Sequence, residues 1–594
     1  MPFPTPGGDF NTWATKLIGT LKNTLTDDGY LKPSVITDIA EEVELAAQPF
    51  TQEDLNQAAA DALDADPTIS ALNAFKARID PGSSGTVGQV LGWDISNQPR
   101  KLEGMVNITA FNSGVGDGTT DNTPALVAAF ATGRPVFLPE GNYIFQRTEM
   151  QPGALVGAGS HLVTISAAPS DSSERNYTIW GDTPGEYHIE GVTIDATGNS
   201  NGWGGISLID ATKVRVRDVW VHNASRSGVY IIDSEDIVLD DCHVRDCGST
   251  SGINAGGFQV VNGTDVVFHR CSAVRSGANH LTYGAGFFCP NATRIKFLYC
   301  DSYDNYVGGI HCDDPIDPVV EGCYLARNGT VDGRLPVGET DGTGVRFLTN
   351  VKRARVVNNL VVGNAENGIF LPHYGSPEEA LAAFNVCIDN NVYNNAGGHG
   401  IEINISDSKI IGNYCSGNHD GISCNGDNVL ILGNTCTNSI GAVASGISKL
   451  GHGIRSYATS GVRIIGNRCV GNEFNGIDLN SDAGVPSEDM IVMNNILLDN
   501  GKYGIELSDE IVSPVMFGNI IEGNTTGQVG RLAGFGSEII GGNKGDREIW
   551  SCSGTPEGSI TAKVGSMAIR RDGGASTTFY IKESGTGNTG WVAK

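Results

Sequence analysis

From Gly205 to Asn524 one short phrase recurs about a dozen times: an apolar run, an Asn-rich turn, then Gly followed by Ile, Val or Phe and a second short run. The marks fall at Ile206, Val229, Phe258, Phe287, Ile310, Val345, Ile369, Ile401, Ile422, Ile454, Ile477 and Ile505, at intervals of 21 to 35 residues. A period of that length, with strand-like runs and sharp turns, describes one coil of a parallel β-solenoid per repeat. Such a chain grows by adding coils, so its 594 residues need not divide into several cores. Its 80 glycines supply turns several times per coil.

Alternation along each second run sends the Ile inward and the next residue outward. Up the stack, that outward position reads Ser207, Tyr230, Gln259, Phe288, His311, Arg346, Phe370, Glu402, Ser423, Arg455, Asp478 and Glu506. A second outward column, two residues on, contains Asp313, Asn404, Asn425, Asn480 and Ser508. Carboxylates, Arg, His and aromatics mixed in one column have the composition of a sugar-binding groove. Two other columns read as scaffold. Asn358, Asn390, Asn413, Asn434, Asn467, Asn494 and Asn519 can stack as an amide ladder. A slot holding Cys242, Cys271, Cys300, Cys323, Cys415, Cys436 and Cys469, with Leu360, Ile496 and Ile521, reads as a buried apolar stack without disulfides or metal.

Glycoside hydrolysis needs two carboxyl groups about 5–5.5 Å apart for retention or about 6.5–9.5 Å for inversion. Adjacent coils lie about 4.8 Å apart, so neighbouring coils can supply them. The preferred cluster has Asp313, Asp314, Glu339 and Asp341 as catalytic carboxylates, with His311, Arg346, Phe370 and His373 binding substrate. Loops enlarged before Val345 and after Ile369 would wall it. A second cluster pairs Asp478 with Glu506 near Arg455, and Glu402 joins the substrate-binding set from three coils away. No Cys/His set has zinc spacing and no Gly-x-Ser-x-Gly elbow occurs, so neither a metal nor a cofactor is expected.

The formal charge of −28 argues against nucleic-acid binding, which needs clustered Lys and Arg. No run of about 18 apolar residues exists, so no membrane insertion is expected. The opening MPFPTPGGDF has no signal-peptide pattern, which predicts synthesis and folding in a reducing cytoplasm. Residues 1–80 carry three short amphipathic helical patterns, starting near Asp9, Ser34 and Leu55, and residues 81–104 read as a Gly/Ser-rich link. Asp121 or Thr123 is placed to cap an Ala-rich helix with Pro124 in its first turn, and Asp117 and Asp121 read as turn and cap residues. Residues 105–545 form the repeat region, and 546–594 alternate like strands separated by turns.

GDGTTDNTPAL, followed by VFLPEGNY, resembles the opening of pectate-lyase-like, right-handed parallel β-helix proteins common among phage tailspikes and capsule depolymerases. VGQVLGWD and the terminal GTGNTGW are similar to tail-fibre segments. The resemblance implies an all-β right-handed parallel β-helix that acts on a bacterial surface polysaccharide, capsule, exopolysaccharide or O-antigen. It also implies a virion location, a homotrimer, attachment to other virion proteins through the N-terminal region and a C-terminal trimerisation module. Hydrolysis is the expected chemistry, with β-elimination of a polyuronate or binding without cleavage as alternatives. GGHGIEI at 397–403 and GHGI at 451–454 invite comparison with polygalacturonases, but the Asp pair lies 85 residues from His399, which therefore reads as a loop histidine.

Overall fold

The computed structural model describes residues 91–93, 99–101 and 104–594, apart from 147, 168–176, 198–203, 249–255, 278–283, 330–341, 350, 373–385, 396, 442–450, 482–485, 509, 513, 532–538, 542 and 545–546. The chain divides into two units, residues 1–103 and 104–594. In the first, Leu91–Trp93 pairs antiparallel with Pro99–Lys101, so the segment read as a link contains a strand pair. The three helical patterns of residues 1–80 lie outside the described residues.

In the second unit the strand Val106–Asn107, the 3₁₀ turn Ile108–Ala110 and the strand Asp117–Asp121 precede the helix Thr123–Phe130, the one α-helix among the described residues. Its N-cap position is Asn122 rather than Asp121 or Thr123, and Asn122 makes no capping bond. That side chain is instead spent on fastening the first coil, donating to the carbonyls of Ser113 and Val115 and accepting from the Ile144 N–H. Asp121 accepts from the Thr123 N–H, and Asp117 from the N–H groups of Thr119 and Thr120. Those bonds hold the Asp117 carboxyl well below the usual range, so the two aspartates are turn residues, as expected.

Beyond the helix the coils stack. Among the described residues fifteen parallel strands form one sheet, from Thr148–Glu149 to Gly527–Arg531, with one strand per coil. The Gly-Ile marks pair in register from coil to coil: Ile206 with Val229, Ile310 with Val345, Ile401 with Ile422, Ile477 with Ile505. The other faces begin as long strands such as Lys213–His222 and Glu235–Arg245 and continue as two short strands per coil, such as Lys296–Leu298 and Asp301–Tyr303. The break between them is a left-handed residue: Asn358, Asp389, Gly412, Gly433, Gly466 and Asn494 in successive coils. Gly, Asn and Asp accept that conformation most readily, so the turn chemistry of the sequence creates the corner.

Inside, Ile310, Val345, Ile369, Ile401, Ile422, Ile454, Ile477 and Ile505 are fully buried in one column. An aromatic plug fills the upper coils. Phe258 stacks on Phe287 at 5.0 Å and Phe268 on Phe297 at 5.2 Å, while Phe268 meets Phe258 and Phe287 edge-on. Phe268→Ala removes a ring that touches all three others, as Phe287 also does, and is expected to cost about 3–5 kcal/mol, read as a lower denaturation midpoint.

The polar ladder is real but its membership differs from the sequence reading. Each amide donates to the next along Asn359, Asn390, Asn413, Asn434, Asn467, Asn495, Asn519 and Asn543. Asn358 and Asn494 are the neighbouring left-handed corner residues, and only the fold shows which member of each Asn-Asn pair points inward. A further ladder runs through Asn305, Asn328, Asn364, Asn395 and Asn418 and resumes at Asn472, Asn500 and Asn524.

The single cysteine slot resolves into two. Cys415, Cys436 and Cys469 stack with Val392, Leu497 and Ile521. Cys300 and Cys323 share the slot of Asn359: the Cys300 N–H donates to Cys323 Sγ, and the Cys323 N–H to Asn359 Oδ1. Leu360 belongs to neither and is 40% exposed. All thirteen cysteines are free thiols, and burial raises the Cys300 and Cys323 thiols well above their usual range.

The C-terminal strands form a separate small sheet, Ile549–Cys552, Met567–Arg570, Phe579–Lys582 and Trp591–Ala593 in that order. Ala562, Ala568, Tyr580 and Trp591 make its own core.

Candidate functional site

The outward column pairs in the predicted register through all twelve positions, Ser207 to Glu506. It is not an open face, however. Ser207, Gln259, Phe288, His311, Ser423 and Asp478 are each buried, so the column is not a freely solvated face.

In the upper part His311 Nε2 lies 3.0 Å from Asp313 Oδ1, and the His311 ring meets Phe288 edge-on at 5.2 Å. Burial lowers the His311 pKa, and the Arg346 charge adds to that effect, against the pull of Asp313. Arg346 and then Phe370 follow on the next two strands. Asp314, at φ 48, occupies the same left-handed turn position as Asp210, Asp233, Asn262 and Asn291 in the coils before. Glu339, Asp341 and His373 lie outside the described residues.

The lower part has the denser polar network. The residue immediately before each repeat glycine forms a column of its own, joined rung by rung by backbone bonds from Gly309, Gly344, Gly368, Gly400, Gly421 and Gly453. Its members are Thr343, Asn367, His399, Asp420, His452 and Asn475. Three of them accept a backbone N–H from the next coil: Asn367 from His399, Asp420 from His452, Asn475 from Tyr503. The amide nitrogens of Asn367 and Asn475 turn to carboxylates of the outward column, whereas the second oxygen of Asp420 turns to His399. Asn367 donates to Glu402 at 2.9 Å, and Asn404 donates to the other Glu402 oxygen at 3.2 Å.

Asn475 Nδ2 donates to Asp478 Oδ1 at 3.1 Å and to Glu506 Oε2 at 2.6 Å. One amide nitrogen thus ties together two carboxylates on adjacent strands. Glu506 also receives Lys502 Nζ at 2.7 and 3.0 Å. Asp478 has no such close cation: His452 Nε2 is 3.7 Å away and Arg455 Nε 3.9 Å. Burial raises the Asp478 pKa and Glu506 adds to it, opposed by His452, Arg455 and Asn475. A raised folded-state pKa means that stability falls as pH rises past the ordinary value of 3.8 and through the raised one. Asp478→Asn removes that penalty while keeping an acceptor for Asn475. It is expected to melt above the wild type at neutral pH, the gap closing well below the ordinary carboxylate value.

His399 lies in the loop before the strand Ile401–Ile403, as expected, but it is not a solvated loop side chain. Its side chain is only 14% exposed, its Nδ1 lies 3.1 Å from Asp420 Oδ2, and its ring packs edge-on against His419. The ligand atoms of His399, His419 and Asp420 all lie within 4.8 Å of one another. These residues come from successive coils, so no local spacing announces them. The signal available in the sequence was the position before each glycine, which turns from small residues to Thr, Asn, His and Asp in the lower coils.

Stacked parallel strands with an inward aliphatic column, amide ladders and an outward polar column define a right-handed parallel β-helix. The family profile described as "Right handed beta helix region" matches residues 177–385 and 380–544, more than half of the chain, and the protein belongs to that family. No curated protein matches the sequence. Among solved structures the chain is similar to tailspike protein 3 of bacteriophage CBA120, at 12% identity over 88% of this chain and 76% of the other, TM-score 0.37. It is also similar to bacteriophage phi29 gene product 12, at 14% identity over 76% and 60%, TM-score 0.38. A third is the A-module of the Azotobacter vinelandii mannuronan C-5 epimerase AlgE4, at 15% identity over 73% and 99%, TM-score 0.33. At these scores none of the three bears on what this chain does.

Proposed function

We propose that the chain is a homotrimeric phage tailspike whose β-helix binds a bacterial surface polysaccharide and hydrolyses it at Asp478 and Glu506. The observation that carries the chemistry is the Asn475 amide held between those two carboxylates. Hydrolysis requires one carboxyl group that keeps its proton and one that does not. Asp478, buried and pushed up, is suited to protonate the leaving oxygen; Glu506, ion-paired to Lys502, is suited to attack or to activate water. The tailspike reading rests on the GDGTTDNTPAL and GTGNTGW segments.

His311, Asp313, Arg346 and Phe370 then serve as substrate-binding positions further along the groove. The His311 Nδ1 is buried and has no hydrogen-bond partner among the described residues. The test is shortening of the host's own glycan by the full chain, followed as new reducing ends. Ultraviolet absorbance from an unsaturated end would indicate elimination instead, and binding without shortening would make the protein an adhesin. Loss of cleavage in Asp313→Asn and Asp314→Asn, with Asp478→Asn still active, would return the chemistry to the upper cluster. Light scattering at a mass other than three chains would remove the trimer.

A further inference from the structure

Two and three coils above Asp478, three side chains converge in a way the proposed hydrolysis does not use. His399 Nδ1 lies 3.1 Å from Asp420 Oδ2, His419 Nδ1 lies 3.7 Å from the same oxygen, and the two imidazole nitrogens are 3.5 Å apart. A tetrahedral site with bonds of about 2.0–2.1 Å separates its ligand atoms by about 3.3–3.5 Å. The triangle therefore has the dimensions of one face of such a site. We propose that His399, His419 and Asp420 bind a divalent transition-metal cation of the zinc type, with a position left for water or a sugar oxygen.

The chemistry of the donors selects the ion. Two imidazoles and one carboxylate suit Zn²⁺, Co²⁺ or Ni²⁺, whereas Ca²⁺ and Mg²⁺ require six or more oxygens or a largely hydrated octahedron. The support behind the donors is also that of a built site. Asp420 is fully buried, and its other oxygen is fixed at 2.7 Å by the backbone N–H of His452. The backbone of His399 donates to Asn367 Oδ1, and that of His419 donates to the Gly398 carbonyl. Asp420 Oδ2 is buried and faces both imidazole nitrogens. Three ligand atoms converging on one point, carried by two buried side chains and one nearly buried, can be held together by a cation in place of the imidazole protons. The ligands come from two consecutive coils, so binding would clamp one coil to the next.

The full chain, stripped with a chelator and titrated with CoCl₂, should develop the visible ligand-field bands of a tetrahedral Co²⁺ site. One equivalent should saturate it, ZnCl₂ should abolish the bands, and CaCl₂ should leave them. His399→Gln and Asp420→Asn should each raise the Co²⁺ Kd by more than about a hundredfold, with folding checked by circular dichroism. If Asp420→Asn fails to fold, His399→Gln alone decides, since its side chain leaves the backbone bonds in place. Absence of bands in the folded wild type, or bands unchanged in His399→Gln, would overturn the site and leave a buried His–Asp–His hydrogen-bonded cluster. Either result leaves the Asp478–Glu506 proposal standing, because that is read from glycan cleavage.

Discussion

Asp478→Asn is expected to slow glycan cleavage by about 10²–10⁴-fold while leaving glycan binding nearly unchanged. The substitution keeps shape and the bond from Asn475 but removes the only proton that the buried carboxyl can deliver. Glu506→Gln should cause a loss at least as large, because the attacking or water-activating group disappears and Lys502 loses its partner. A general acid acts on the leaving group, so an activated aryl glycoside of the same sugar should be cleaved by Asp478→Asn far faster than the natural polymer. Glu506→Gln should not be rescued in that way. One nitrogen 3.1 Å from Asp478 Oδ1 and 2.6 Å from Glu506 Oε2 holds those oxygens no more than about 5.7 Å apart, nearer the separation of retaining than of inverting enzymes, and nuclear magnetic resonance of the first product should show retained anomeric configuration. Equal loss of binding and cleavage in both variants would instead make the pair part of the recognition surface.

The second large effect concerns stability. Asn434→Ala should destabilise the β-helix by about 2–4 kcal/mol, while Asn494→Gly should change it by less than about 0.5 kcal/mol. Asn434 Oδ1 accepts the Asn413 N–H at 2.8 Å and the Asn413 amide at 2.9 Å. Its Nδ2 donates to the Ile410 carbonyl and to Asn467 Oδ1, both at 2.9 Å. Truncation leaves a buried backbone N–H and carbonyl without those partners, and nothing apolar can replace them. Asn494, although one residue from the ladder, sits at φ 55 where glycine is at ease. Urea denaturation midpoints of the two variants compare the positions directly. Similar losses in both would mean that the ladder contributes no more than the corner.

The contrast between Asn434 and Asn494 shows where sequence reasoning works and where it stops. A single Asn in a repeat, as at Asn413 or Asn434, is assigned unambiguously. In a pair such as Asn494-Asn495 the side chain that enters the interior is decided by the left-handed corner, which rotates the next residue inward. The cysteines divide for the same reason: Cys323 and Cys415 look alike in the repeat, yet one lies on the ladder side of the corner and the other on the strand beyond it. The outward column was fully legible, because a strand has period two and each Gly-Ile mark resets it. Its burial was not, since that depends on the neighbouring column and on what rises beside it.

The candidate site divides in the same manner. Asp478 and Glu506 were visible as neighbours, since register alone places them on adjacent rungs. The amide between them and the lysine on one of them were not, because Asn475 and Lys502 reach the groove from outside the marked strand. His399, His419 and Asp420 are spread over two repeats with no motif spacing, and only coil stacking makes them neighbours. Repeat period and residue chemistry alone were enough to specify a parallel β-solenoid, its inward column and the order of its groove. Which asparagines carry the ladder, which carboxylates share a partner and which imidazoles meet were decided by the tertiary structure, because those contacts run between coils, perpendicular to the chain.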